Sequence, residues 1–306
     1  MLKISFTDFW IDFNEKNNLI TNILNELFNS EILVTKPNKA DVCFVSICGK
    51  KHKKVIEKYN EKCILFLGEN IRPNKYEVPF SLTSDFNSYG GTNMRLPLWY
   101  FEIDWFKTNI GIINVDQIEK RLIDNGQFTA DDIANRKDCI TIFNNPEGSR
   151  MDMLRELQKI MYVEKYGTLF NNPLGPKTNK SFINKFFPVY SDYQSKIEKM
   201  TNFKFNFCPE NSLFPGYYTE KCFHAKIAGC IPIYFADYHV HNDFRKESFI
   251  NMYDYLEFQD LSKYLSEVKK DYSHLAKLAN EPLLKSIPKL NSIKDFLLKS
   301  ITSIRK

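Results

Sequence analysis

Short apolar runs alternate with amphipathic stretches from the first residues of this chain. Leu2 to Phe6, Asp41 to Ile47 and Cys63 to Leu67 have the length and apolar density of buried strands, and helical spacing falls between them over Asn17–Asn29 and Lys51–Tyr59. Such alternation predicts a parallel α/β sheet. The pattern blurs between Pro79 and Arg136, where Gly90-Gly91 and Pro97 punctuate it, so a lobe boundary is expected there. It resumes with strands at Asp138–Phe143, Phe203–Phe207, Cys230–Phe235 and Ser248–Met252, and with helices at Ser149–Met161 and Thr219–Ala228. From Gln259 to Lys306 the chain is helical and basic. Leu290, Ile293, Leu297, Ile301 and Ile304 form one apolar stripe there, with lysines elsewhere on the wheel.

The expected organisation is therefore an N-terminal lobe over 1–136, a second lobe over 137–275 and an amphipathic helical tail over 276–306. The tail stripe fits either a bilayer surface or a lobe. A chain of 306 residues holds two cores of ordinary size, and 43% apolar with 26% charged residues lies in the globular range. The formal charge of +5 is compatible with an anionic ligand and does not call for nucleic acid. The densest basic run, Lys50-Lys51-His52-Lys53-Lys54, opens a predicted helix as a solvated face. Seven cysteines without a CxxC pair, mostly inside apolar runs, read as buried reduced thiols in a cytoplasmic protein. No signal-peptide pattern opens the chain, and no run reaches the roughly 20 apolar residues of a spanning helix.

Open parallel sheets bind ligands at the carboxyl ends of their strands. Three loops then attract attention. Gly68-Glu69-Asn70 follows Leu67 and places a carboxylate where it can take a proton from an attacking hydroxyl. Asn144 to Arg150 runs from a strand into a helix, and a guanidinium at a helix N-terminus can grip a diphosphate. The alternative there is Ser149 as a cap with Arg150 in solvent. The third loop reads Cys208-Pro209-Glu210-Asn211-Ser212, then Leu213 to Gly216, then Tyr217-Tyr218-Thr219-Glu220-Lys221. Thr219 suits an N-cap, Lys221 can neutralise a leaving diphosphate, and Glu220 can accept from ribose hydroxyls or stabilise charge on a sugar ring.

The third loop, followed by a small-residue helix and Gly229-Cys230-Ile231-Pro232-Ile233-Tyr234, resembles the signature of the α-1,3/1,4-fucosyltransferases, glycosyltransferase family 10. Gly68-Glu69, Asn145-Pro146 with Arg150, and Arg95-Leu96-Pro97-Leu98 resemble further segments of that family. The similarity is strong over Asp138–Asp254 and patchy before it. What the resemblance implies is a GT-B fold, two Rossmann-like lobes facing a cleft, with GDP-fucose as donor. It implies Glu69 and Glu220 as catalytic, and Arg150, Asn211, Ser212, Tyr217, Thr219, Glu220 and Lys221 as donor-binding.

The expected reaction is inverting transfer of L-fucose to a glycan hydroxyl, such as O3 of a GlcNAc or Glc residue. The acceptor would be an oligosaccharide or a lipid-linked glycan, as in lipopolysaccharide or other surface-glycan synthesis. Cys208-Pro209 and Phe235-Ala236-Asp237 depart from the family pattern and bear on the donor sugar. The alternatives are another GDP-linked deoxysugar or heptose, or a silent glycan- or nucleotide-binding protein. No D-x-D triplet occurs, so no metal is expected to be obligatory, although divalent ions could stimulate. His239-x-His241 reads as a loop pair before it reads as a metal site.

Overall fold

The computed structural model describes residues 1–124, 126–172 and 190–306, which divide into two compact units. Unit 1 comprises Met1–Ile110 with Pro288–Lys306, and unit 2 comprises Gly111–Ile287.

In unit 1 the strands are β1 (Leu2–Thr7), β2 (Ile32–Val34), β3 (Val42–Val45), β4 (Cys63–Leu67), β5 (Phe80–Thr83) and β6 (Asn93–Arg95). They form one parallel sheet in the order β2-β1-β3-β4-β5-β6. Both of its faces are covered, which is why β3 and β4 read as unbroken apolar runs. Phe44, Ile64 and Phe66 face one core with helix α1 (Leu19–Leu27), while Cys43, Val45, Cys63 and Leu65 face another on the side of α2 (His52–Tyr59). Asn18 caps α1 by accepting from the Thr21 amide at 2.9 Å.

Unit 2 has α3 (Ala130–Ala134), β7 (Lys137–Ile142), α4 (Gly148–Gln158), β8 (Val163–Tyr166), α5 (Tyr190–Met200) and β9 (Phe203–Phe207). It continues through α6 (Glu220–Ile227), β10 (Ile231–Tyr234), β11 (Ile250–Asn251), α7 (Phe258–Val268) and α8 (Tyr272–Asn280). The sheet is again parallel, in the order β8-β7-β9-β10-β11. In both units the order reverses after the first strand, so the switch points lie between β1 and β3 and between β7 and β9.

Two expectations about boundaries need correction. The first lobe ends near residue 110 rather than 136, because the segment before β7 is tied to unit 2. Leu122 O accepts from the Leu284 amide at 2.8 Å, and Asn280 bonds both ways with the Phe128 backbone at 2.8 Å. The C-terminal helix α9 (Asn291–Ile304) is no separate tail. Ile293, Phe296, Leu297 and Ile301 are buried in the core that holds Ile20, Ile23 and Leu24, and Lys294 pairs with Glu26 at 2.6 Å. The stripe that suited a bilayer is thus spent on unit 1. No described helix is long and apolar enough to cross a membrane.

All seven cysteines are free, and only Cys48 is exposed. Burial pushes the thiols of Cys139, Cys208, Cys222 and Cys230 up, Cys230 to about 12. A folded-state pKa above the unfolded one gives stability that is whole below the unfolded value and lost as pH rises toward the folded value. Lys226, lowered to about 8 by burial, acts in the opposite sense, but it is one group against four. Urea unfolding should show stability falling from about pH 9 upward by more than ~1 kcal/mol per pH unit, and Cys230→Ala should flatten that slope. A slope near zero would contradict the assignment. Leu297→Ala should cost ~2–5 kcal/mol in the same measurement, as expected for a side chain inside a core.

Candidate active site

In a parallel sheet the loops on either side of a switch point leave in opposite directions and open a crevice at the strand ends. In unit 2 these loops follow β7 and β9. The β7 loop enters α4, whose N-cap position is Glu147, with Arg150 in the first turn. Arg150 is 3% exposed, so the solvent-facing alternative is excluded. Its guanidinium lies 4.2 Å over the Phe143 ring, donates from Nη2 to Asn145 O at 2.6 Å, and donates from Nη1 to Asn211 Oδ1 at 2.6 Å. The last bond spans the switch point, joining the β7 loop to the β9 loop. Burial lowers the basicity of Arg150, while Glu147 and Glu210 work against that loss. Gly167 permits the close approach behind this loop. Its φ is +112°, and a Cβ there would lie 2.0 Å from Phe143 O.

The β9 loop carries Glu210, Asn211 and Ser212 and leads through Tyr217 and Tyr218 to α6. Glu210 is 4% exposed. Its Oε1 accepts from the Thr219 amide at 2.7 Å and from Tyr234 OH at 2.5 Å, and its Oε2 accepts from Lys221 Nζ at 2.9 Å. Thr219 stands at the N-cap of α6 but does not cap it. Its hydroxyl faces Glu210 at 2.9 Å instead, and accepts from Lys221 Nζ at 2.8 Å. Burial works to lower the Lys221 ammonium, and Glu210 and Glu220 outweigh it, so the group is held above its ordinary value. Burial would raise the Glu220 carboxyl, but Lys221, Lys196 and His224 hold it well below the usual carboxylate range.

Five of the residues expected from the sequence are therefore on one face of unit 2: Arg150, Asn211, Thr219, Glu220 and Lys221. Tyr217 is buried in the same loop, and Ser212 is exposed on it. Lys196 on α5 was not foreseen. It stands 3.9 Å from Glu220 Oε1 and 3.0 Å from His224 Nδ1, and no local motif marks it. Tyr234 was readable as the end of a strand, and nothing in the sequence tells that its hydroxyl meets Glu210. His239 and His241 sit in the helical turn Tyr238–Asn242. His239 Nδ1 meets Asp237 Oδ1 at 2.8 Å, and the His241 ring stacks on Phe249.

In unit 1, Glu69 follows β4 and is exposed. Burial and the carboxylates of Glu69 and Asp8 push the nearby Cys48 thiol up. Asp8, at the end of β1, accepts from the amides of Lys51 and His52 at 2.6 Å each and meets His52 Nδ1 at 3.0 Å. Gly49 lets this carboxylate come close, since a Cβ there would lie 2.3 Å from Asp8 Oδ1 and displace it. The lysines of the basic run are exposed as expected, and His52 alone turns inward.

Comparison with known proteins places this geometry. The profile described as glycosyltransferase family 10 (fucosyltransferase) C-term matches residues 135–278. That of the alpha-(1,3)-fucosyltransferase FucT N-terminal domain matches residues 4–102. The chain is 25% identical over 289 residues to alpha-(1,3)-fucosyltransferase FucT of Helicobacter pylori, covering 89% of this chain and 58% of that protein. It is 29% identical over 136 residues to 4-galactosyl-N-acetylglucosaminide 3-alpha-L-fucosyltransferase 9 of Homo sapiens, covering 44% of this chain and 33% of that one. The chain thus spans about three fifths and one third of the lengths of these relatives. A crystal structure of an alpha1,3-fucosyltransferase superposes with a TM-score of 0.73 at 20% identity, covering all of this chain and 92% of that one. The same title with GDP-fucose superposes at 0.69 and 20% identity, covering 98% and 90%. This likeness carries the fold, which is of GT-B type.

Asn211→Ala would leave the buried Arg150 guanidinium short of one acceptor. Its unfolding free energy in urea should fall by about 1–3 kcal/mol, whereas a surface polar contact would be nearly silent.

Proposed function

This chain belongs to glycosyltransferase family 10, the fucosyltransferases, and from that premise we propose that it moves L-fucose from GDP-fucose to a glycan hydroxyl with inversion at the anomeric carbon. The observation that carries this reading is the Arg150–Asn211 bond across the switch point of unit 2, with Lys221 in the first turn of α6. Two cations at the carboxyl ends of β7 and β9 suit a nucleoside diphosphate.

In the proposed step the acceptor oxygen forms its bond to the anomeric carbon as the bond from that carbon to the β-phosphate oxygen breaks. The electron pair leaves with GDP, where Arg150 and Lys221 meet the growing negative charge. Charge met only as it develops lowers the barrier without tightening the ground state to the same degree. The acceptor proton goes to Glu69, and Glu220, kept ionised by Lys221 and Lys196, faces the ribose or the positive charge on the sugar ring. Asn211, Ser212, Tyr217 and Thr219 line the donor side. Single displacement needs one base and a neutralised leaving group, and it forms no covalent intermediate. Unit 1 offers aromatic surface for an acceptor sugar. Trp10, 41% exposed, packs edge-on to Phe101 at 5.9 Å in the loop after β1. O3 of a GlcNAc or Glc residue is the position we assign to the acceptor.

The test is acceptor-dependent release of GDP from GDP-fucose by the purified chain, run over N-acetyllactosamine, Lewis-type and simple sugar acceptors. Glu69→Gln should lower turnover by at least ~100-fold while GDP affinity stays within about 2-fold. Full activity in that variant removes Glu69 as the base. Tight GDP binding without release on any acceptor points to another GDP-linked sugar.

A further inference from the structure

The carboxylate of Glu210 has no part in the steps above, yet four donors converge on it in unit 2's strand-end loops. We propose that Glu210 is a positioning residue for the donor diphosphate, holding the Lys221 ammonium by one proton while Thr219, itself fixed by Glu210, holds a second, so that the third is aimed at phosphate. The inference rests on the donor reading just given.

Three elements converge on Glu210: the loop after β9 that carries it, the start of α6 through Thr219 and Lys221, and the end of β10 through Tyr234. A buried carboxyl group is costly unless its oxygens are hydrogen-bonded, and here two hydroxyls, one amide and one ammonium meet them. Lys221 Nζ has one proton on Glu210 Oε2 at 2.9 Å and one on Thr219 Oγ1 at 2.8 Å. Glu220 Oε1, at 4.0 Å, lies beyond hydrogen-bond reach and takes none. A lysine stem has four rotatable bonds, and a point charge on it meets phosphate from many directions unless something fixes it. The pair Glu210 and Thr219 supplies that restraint from below. The Lys221 side chain stays 17% exposed, against 1% for Glu210, so its open side reaches solvent.

A carboxylate that served only to pin the loop would not govern how Lys221 titrates. The charged groups facing Lys221 are Glu210 from the β9 loop, Glu220 from α6 itself and Arg150 from α4. Lys196 on α5 and His224 on α6 act on it through Glu220. Burial and Arg150 oppose the ammonium, and the two carboxylates sustain it. Withdrawing the Glu210 charge alone should let Lys221 deprotonate at lower pH.

The experiment measures GDP affinity by calorimetry from pH 6.5 to pH 11, with the whole chain, for wild type, Glu210→Gln, Lys221→Ala, Thr219→Val and Tyr234→Phe. Glu210→Gln should bind GDP roughly 10-fold more weakly at neutral pH and lose binding at its alkaline limb about one pH unit earlier. Thr219→Val and Tyr234→Phe, which keep the charge and each remove one hydroxyl from it, should weaken GDP about 3-fold. Wild-type affinity with an unmoved alkaline limb in Glu210→Gln, while Lys221→Ala loses binding, overturns this proposal alone. If Glu210→Gln does not fold, wild-type affinity in both hydroxyl variants overturns it. Absence of GDP binding by the wild-type chain, or full binding by Lys221→Ala, sinks the donor reading itself.

Discussion

The constraint on which the site depends is the reversal of winding in each sheet. A parallel sheet needs crossovers, and β7 sends its connection one way while β9 sends its own the other. The crevice left at their carboxyl ends cannot be roofed by either connection, so polar backbone and side chains collect there without being sealed in a core. Arg150 and Asn211 come from opposite sides of that divide and meet across it. The same reversal in unit 1 gathers Asp8 and His52, with Glu69 one strand further along.

The chemistry at this place is built by burying charges in groups. Burial works against the charges of Arg150 and Lys221, and neighbouring carboxylates oppose that effect at both. Glu210 and Glu220 sustain Lys221, Lys221 and Lys196 sustain Glu220, and Arg150 leans on the Phe143 face. The arrangement has the character of an electrostatic framework made before any ligand arrives. That suits a reaction in which charge moves from a sugar oxygen onto a phosphate, since fixed dipoles and ions need not reorganise as it does so.

Much of this was legible in the sequence. The strands Cys63–Leu67 and Phe203–Phe207 could be read to the residue because both their faces are buried, and burial on both faces leaves uninterrupted apolar runs. Val163–Tyr166 was not seen, since an edge strand carrying Glu164 and Lys165 gives no apolar signal. The donor loop was visible because its residues are consecutive. The roles of Lys196 and of the Tyr234 hydroxyl and the pairing of Asp8 with His52 were invisible, because each is defined by a contact across 24 or more positions that only the fold creates. The lobe boundary was misplaced for a related reason. Side-chain periodicity reports which face of an element is buried, and it does not report which core receives it.

That last point has a consequence in time. Unit 2 is inserted in the chain between β6 and α9, so most of unit 1's sequence is synthesised long before the helix that finishes its core. At about 5–20 residues per second, the interval is roughly 10–35 s. During it, Ile20, Ile23 and Leu24 have no partner surface from α9. The inserted unit is therefore complete in the chain before the unit that encloses it, and the core of unit 1 is the last to receive all its parts.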